Sequence, residues 1–180
     1  MNTIVIILSL IATLVLTLFV LALVAPKSYS LKRQVIVDQP VHVVFNYLKH
    51  LKNQDYFNKW VMMDADLRKQ FRGEDGNVGF VYAWQGNKQA GVGEQEIKRI
   101  EENKLVEVEV RFEKPMKGIA RTPFSTEEVS QNQTKVTWEM SSTMKYPSNI
   151  ILLFMNMDKM LGKDIQASLE LLKLNLEPKS

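Results

Sequence analysis

Chemistry needs ionisable or nucleophilic side chains brought together, and this chain supplies few at useful spacing. It has no cysteine, which removes disulfides, thiolate metal sites and thiol nucleophiles together and leaves the redox compartment open. The two histidines, His42 and His50, stand eight residues apart with no Glu-x-x-His pattern beside them, so no metal site is expected. His50 fits better at a helix end, where its charge suits the dipole. Asp64 and Asp66 could share acid/base work, but paired carboxylates in a loop are ordinarily solvated. Glu94 and Glu96, with Arg111 and Arg121, fall in strand-like segments; one of them pointed into a cavity would be a candidate through its desolvated charge. The glycines are not a phosphate loop, because no helix with Lys-Ser/Thr follows them. Gly86-Asn87 suits a two-residue hairpin turn, and Gly91 with Gly93 suits a bulge or a close backbone approach. No catalytic residue and no cofactor is assigned.

What the sequence does offer is apolar surface in ordered rows. In the segment from Gly79, the bulky set is Phe80, Tyr82 and Trp84, opposed by Val81 and Ala83. Val106, Val108, Val110 and Phe112 alternate with Glu107, Glu109 and Arg111, and Val136, Trp138 and Met140 with Lys135, Thr137 and Glu139. The inward rows are thus aromatic and aliphatic, which serves either a filled core or a pocket for an apolar ligand. Methionine, here Met140, Met155, Met157 and Met160, adapts well to such a pocket.

The elements that position these rows follow from periodicity. From Thr3 to Ala25 no side chain is charged; as a helix the run covers ~34 Å, enough for a hydrocarbon core of roughly 30 Å. A cleaved signal would want a basic start, a shorter apolar run and a small-x-small site, so residues 1–26 are expected to be an uncleaved transmembrane anchor and 27–180 a single folded domain. Lys27, Lys32 and Arg33 follow the span and no Lys or Arg precedes it, which predicts a single-pass membrane protein with a cytoplasmic domain. Leu31–Val37 reads as a strand stopped at Asp38-Gln39-Pro40, with Asp38 a candidate cap. Val41, Val44, Phe45, Leu48 and Leu51 mark an amphipathic helix with Pro40 in its first turn, and residues 53–60 a short helix or turn. The period then changes to two, giving six strands at about 66–72, 79–85, 91–100, 104–112, 119–129 and 134–143. A final helix is expected from Ser148 to about Leu176 with the stripe Phe154, Met157, Leu161, Ile165, Leu169 and Leu172. The fold class is therefore α+β, a seven-stranded antiparallel sheet curled around a long C-terminal helix.

Charges number 23 basic against 20 acidic and form no block that could track a phosphate backbone, so nucleic acid is not an expected partner.

Asp38-Gln39-Pro40-Val41, the run from Gly79 through Trp84-Gln85-Gly86-Asn87, Gly91-Val92-Gly93 and Thr134-Lys135-Val136-Thr137-Trp138, in this order of elements, resemble the polyketide cyclase/dehydrase-like branch of the START-related (SRPBCC) superfamily over residues 29–176. The resemblance implies a helix-grip (START/Bet v 1-like) fold with a deep apolar cavity and, as partner, a lipid or other hydrophobic small molecule. A minority of that superfamily catalyse cyclisation or dehydration. The cavity is then expected to be lined by Phe80, Tyr82, Trp84, Val108, Val110, Phe112, Phe124, Trp138, Met140, Phe154, Met157 and Leu161. Two functions follow, a membrane-anchored carrier or a cyclase/dehydratase-type enzyme, with a protein-interaction module as a third. Ionisable side chains in the cavity would separate carrier from enzyme. Residues 150–155 are apolar all round, which demands cover; Ile151, Leu152 and Met155 are candidates for resting on the bilayer.

Overall fold

The computed structural model describes residues 2–177. Helix α1 (Thr3–Val24) leads into an antiparallel sheet of β1 (Ser28–Val37), β2 (Arg68–Arg72), β3 (Val81–Gln85), β4 (Val92–Glu101), β5 (Leu105–Lys114), β6 (Gly118–Arg121), β7 (Phe124–Ser130) and β8 (Gln133–Thr143). Between β1 and β2 lie α2 (Val41–Lys49), a 3-10 segment (Leu51–Tyr56) and the one-turn α3 (Lys59–Met62); after β8 come a 3-10 turn (Ser148–Ile150), the one-turn α4 (Ile151–Phe154) and the long α5 (Met157–Leu176).

The strand order is β1-β8-β6-β5-β4-β3-β2, with β7 also lying between β5 and β8. β6 and β7 are thus one strand position broken in two, where a single strand over 119–129 is predicted. Proline at 123 has no N–H for the ladder, and Thr122 is buried, its N–H donating to the carbonyl of Val108. Eight segments therefore fill seven positions. β1 and β2 form the two edges. α5 lies across the inner face of β1 and β8, with Ile165, Leu169 and Leu172 fully buried there.

The predicted continuous final helix is interrupted. Met155 and Asn156 are in extended backbone, and the Asn156 side chain caps α5 by accepting from the Lys159 N–H at 2.9 Å. Asn followed by Asp158 in the first turn is a start signal, but the apolar run before it hides the boundary. Asp38 does not cap α2; its carboxylate accepts from Gln133, and α2 begins directly after Pro40. His50 closes α2, with Nδ1 at 2.7 Å from the Asn46 carbonyl oxygen.

α1 is the one helix among the described residues long and apolar enough to cross a membrane. Its hydroxyls are satisfied within it: Ser9, Thr13 and Thr17 donate to the carbonyls of Ile6, Ser9 and Thr13. Only its last turns touch the domain. The Asn149 amide, fully buried, donates to the carbonyls of Ala22 (2.7 Å) and Ala25 (3.2 Å), and Phe19 packs on Tyr146 with ring centroids 6.1 Å apart.

Candidate functional site

Alternation along the strands sends one row of side chains under α5 and the other to solvent. The domain has two ends. One carries the foot of α1, the β3–β4 loop, the β5–β6 turn and the β8–α4 connection; the far end carries the β2–β3, β4–β5 and β7–β8 turns.

Toward the far end the inner face is closed. Val37, Phe45, Ile97, Val106, Val108 and Val136 are essentially without exposure, supplied by α2 and the sheet packing directly on each other. At mid-sheet Trp138 stacks on Phe124 at 4.6 Å and receives the edges of Phe57 (6.3 Å) and Trp60 (5.9 Å). Toward the α1 end Leu31, Ala120 and Met140 are buried, but the side chains around them are less fully covered. Trp60, Trp84, Phe112 and Leu161 are only half-buried, with Trp84 set edge-on to Phe112 at 6.2 Å. Gly93 makes room for the Trp84 ring: a Cβ there would lie 2.8 Å from it and 2.6 Å from the Arg111 carbonyl. The Trp84 indole N–H donates to the Ala90 carbonyl at 3.0 Å. Gly91 is a close approach too, with φ +69° and a Cβ position 2.4 Å from the Lys114 carbonyl. Gly86-Asn87 proves to be part of a longer loop, closed by Gly86 donating to Gly91 and Gly91 to Asn87.

Of the residues expected to line a cavity, Phe80, Tyr82, Val108, Val110, Phe124, Trp138 and Met140 are buried and inward, the first four in one packed cluster and the last three in another. Trp84, Phe112, Met157 and Leu161 are half-buried. Phe154 does not join them: it is 71% exposed, because the chain breaks after it and α5 starts a new helical phase at Met157. Ile151, Leu152 and Met155 are half-buried, whereas Leu153 and Phe154 carry the exposed surface of α4.

The ionisable groups turned inward are ones that patterning did not single out. Lys69 and Phe71 share the inward parity of β2, opposite Trp84 and Tyr82. Lys69 pairs with Asp55 at 2.8 Å, and the Tyr82 hydroxyl donates to the same carboxylate at 2.7 Å. Burial, then the adjacent Asp55 charge, pushes the Tyr82 phenol well above its usual range. Beside it the buried Gln54 side-chain oxygen accepts from Asn58 (2.7 Å) and Gln95 (3.2 Å). On the other flank Arg33, in phase with Leu31 and Val35 and so legible from β1, reaches Asp158 at 2.8 Å. It crosses α5 at Gly162, where a Cβ would meet the guanidinium. Each of these charges is paired with another of the set.

Glu94, Glu96, Arg111 and Arg121 face outward instead. Arg111 bridges Glu94, Glu96 and Glu109 at 2.6–2.9 Å, and Arg121 pairs with Glu107. They brace the outer face and reach no interior. Asp64 is likewise structural, accepting from the backbone N–H groups of Asp66 and Asn87. The pairing has a pH signature. Arg72 chiefly, then Arg111, holds Glu94 below its usual range, and Lys98 chiefly, then Arg111, does so for Glu96. A folded-state value below the unfolded one stabilises above the unfolded pKa, and the gain is lost as pH falls through the folded one. The melting temperature is therefore expected to decline below about pH 4.5, and less steeply in Arg111→Gln. Parallel melting curves of the two proteins between pH 6 and pH 3 would refute the coupling.

No protein-family model and no curated protein sequence matches the chain. Solved structures do. Norcoclaurine synthase from Thalictrum flavum, determined with dopamine and hydroxybenzaldehyde, superposes with a TM-score of 0.60 at 11% identity, covering 87% of this chain and 91% of that one. The Mll3558 protein from Rhizobium loti gives 0.60 at 15% identity, over 83% and 97%. Ara h 8.0201 gives 0.56 at 9% identity, over 83% and 97%. At such identities the likeness is one of fold, and that fold is the Bet v 1-like helix grip.

Proposed function

We propose that this chain is a membrane-anchored binding or carrier domain for a hydrophobic small molecule or lipid, with residues 1–26 as the anchor and 27–180 as the domain on the cytoplasmic side. The observation that carries this reading is the half-buried aromatic set on the inner face, Trp60, Trp84 and Phe112 with Leu161, packed at the margins of the two buried clusters. Trp84 and Phe112 belong to the strand ends nearest the foot of α1, so apolar ligand would dock against these rings from the side of the bilayer. Aromatic and aliphatic side chains are the lining that small hydrophobic ligands require. The charges near it are paired with each other, which supports a carrier over a catalyst. Cyclase or dehydratase chemistry, the finer reading of the sequence resemblance, would have to draw on Tyr82, Asp55 and Lys69, where the fully buried phenol is already committed to Asp55.

Native mass spectrometry of the full chain released from detergent is expected to show a co-purified hydrophobic mass. That ligand should quench the Trp84 contribution to fluorescence, and Trp84→Ala should weaken its binding about tenfold, ~1.4 kcal/mol, while Lys135→Ala leaves it unchanged. A ligand-free mass, with no fluorescence response to added phospholipid or fatty acid, would overturn the carrier reading.

A further inference from the structure

α1 is barely long enough for a bilayer, and that fixes the height of the domain. The helix begins at Thr3, with Asn2 in extended backbone, and ends at Val24, a length of ~33 Å against a hydrocarbon core of roughly 30 Å. The domain, however, grips the helix below its end, at Phe19 and Ala22, through Tyr146 and Asn149. If the hydrocarbon stopped short of Phe19, the part of α1 before it would cover only ~24 Å. The grip is firm, because the Asn149 amide is buried and bonded to two carbonyls of the helix end. The facing groove, about 310 Å³ and open, is lined by Leu18, Phe19, Pro147, Ser148 and Ile150.

Charge adds an independent observation. The turns at the α1 end carry the exposed Lys27, Lys88, Lys117 and Lys145, with Lys114 at the end of β5. None of these is within ion-pair distance of a carboxylate among the described residues. Acids at this end are Asp64, Asp66, Glu113 and Asp158, the last paired with Arg33. The end of the domain beside the anchor is thus basic.

Resting on the reading of α1 as a membrane span, we propose that residues 146–154 form a collar embedded in the bilayer interface. Tyr146, Leu153 and Phe154 lie among the acyl chains, and the lysine rim contacts anionic phospholipid headgroups. Interfacial segments bind in this way, by apolar burial together with attraction to anionic lipid. The collar holds the α1 end of the helix grip against the membrane and points the β2–β3, β4–β5 and β7–β8 turns away from it.

The absence of cysteine allows a direct test. Single variants Ile11→Cys, Phe154→Cys and Leu174→Cys of the full chain, at positions exposed by 53%, 71% and 65%, carry a nitroxide in nanodiscs of phosphatidylcholine with or without phosphatidylglycerol. Ile11 and Phe154 should be reached by oxygen in preference to a water-soluble nickel chelate, and Leu174 the reverse. Phosphatidylglycerol should deepen the Phe154 label, and Lys114→Gln/Lys117→Gln/Lys145→Gln should abolish that shift. Chelate-accessible Phe154 with Ile11 embedded overturns the collar and leaves the span standing. Chelate-accessible Ile11 overturns the span from which the proposal starts. Equal Phe154 depth in the two lipid compositions overturns the headgroup contact.

Discussion

Trp138→Ala is expected to destabilise the domain by about 3–5 kcal/mol, the range for truncating a buried large aromatic. The indole is 2% exposed and sits between Phe124, Phe57 and Trp60; removing it leaves a hole lined by three rigid rings that cannot close without shifting β7 or α3. For a chain of this size each kcal/mol is roughly 2–4 °C in melting temperature, so a drop on the order of 10 °C should be seen. Trp138→Phe isolates the packing. The indole N–H has no hydrogen-bond partner among the described residues, so Phe forfeits volume and no bond, and should lose no more than about 2 kcal/mol. Denaturant titration of both variants is decisive. A Phe variant as damaged as Ala would show that the N–H is engaged, and an unshifted Ala variant would mean that this row of β8 does not face the core.

Gly93→Val is the second large effect. No unusual backbone dihedral is involved at Gly93; the demand is for space. A Cβ would lie 2.6 Å from the Arg111 carbonyl and within 2.9 Å of the Trp84 ring. The carbonyl belongs to β5, which pairs with β4 from Phe112 to Val108 in unbroken register beyond the irregularity at Val92/Gly93, and cannot retreat without breaking that ladder. Overpacking of this kind typically costs about 1–3 kcal/mol, and Val should lie at the upper end and also displace Trp84 from its place against Phe112. Trp84→Ala removes one of the two obstructions, so in the double variant the cost of Gly93→Val should shrink, giving a non-zero coupling in a double-mutant cycle. Strictly additive losses would mean that only the β5 backbone opposes the side chain.

Both effects trace back to features legible in the sequence to different depths. The inward row Val136, Trp138, Met140 follows from period-two alternation alone, because the pleat leaves a strand residue only two faces. Arg33 and Lys69 obey the same alternation and could have been assigned inward, but a charge in an apolar phase reads as a break in the pattern until its partner is known. Those partners, Asp158 and Asp55, lie on separate elements, α5 and the 3-10 segment. Glu94, Glu96 and Arg111 show the converse: strand parity placed them on one face, and only the register of β4 on β5 shows that they brace each other outside the grip.

By itself the sequence determined what is local or periodic: the uninterrupted apolar helix before Pro26, the change of period from 3.6 to 2 after Trp60, the punctuating turns, the helix-and-meander order of an α+β domain, and the lack of any thiol. Tertiary structure alone decided what depends on distance between remote segments. It broke the last helix at Asn156, where a local cap competes with a continuous apolar run, and so left Phe154 outside the core. It buried Phe80, Tyr82, Val108 and Phe124 of the expected cavity lining and left Trp84, Phe112 and Leu161 half-buried, a matter of how side chains of α2, α3 and α5 meet the sheet. It also tied Asn149 to the last carbonyls of α1, which no pattern announces, because a helix end needs an acceptor's partner and any nearby amide can supply it.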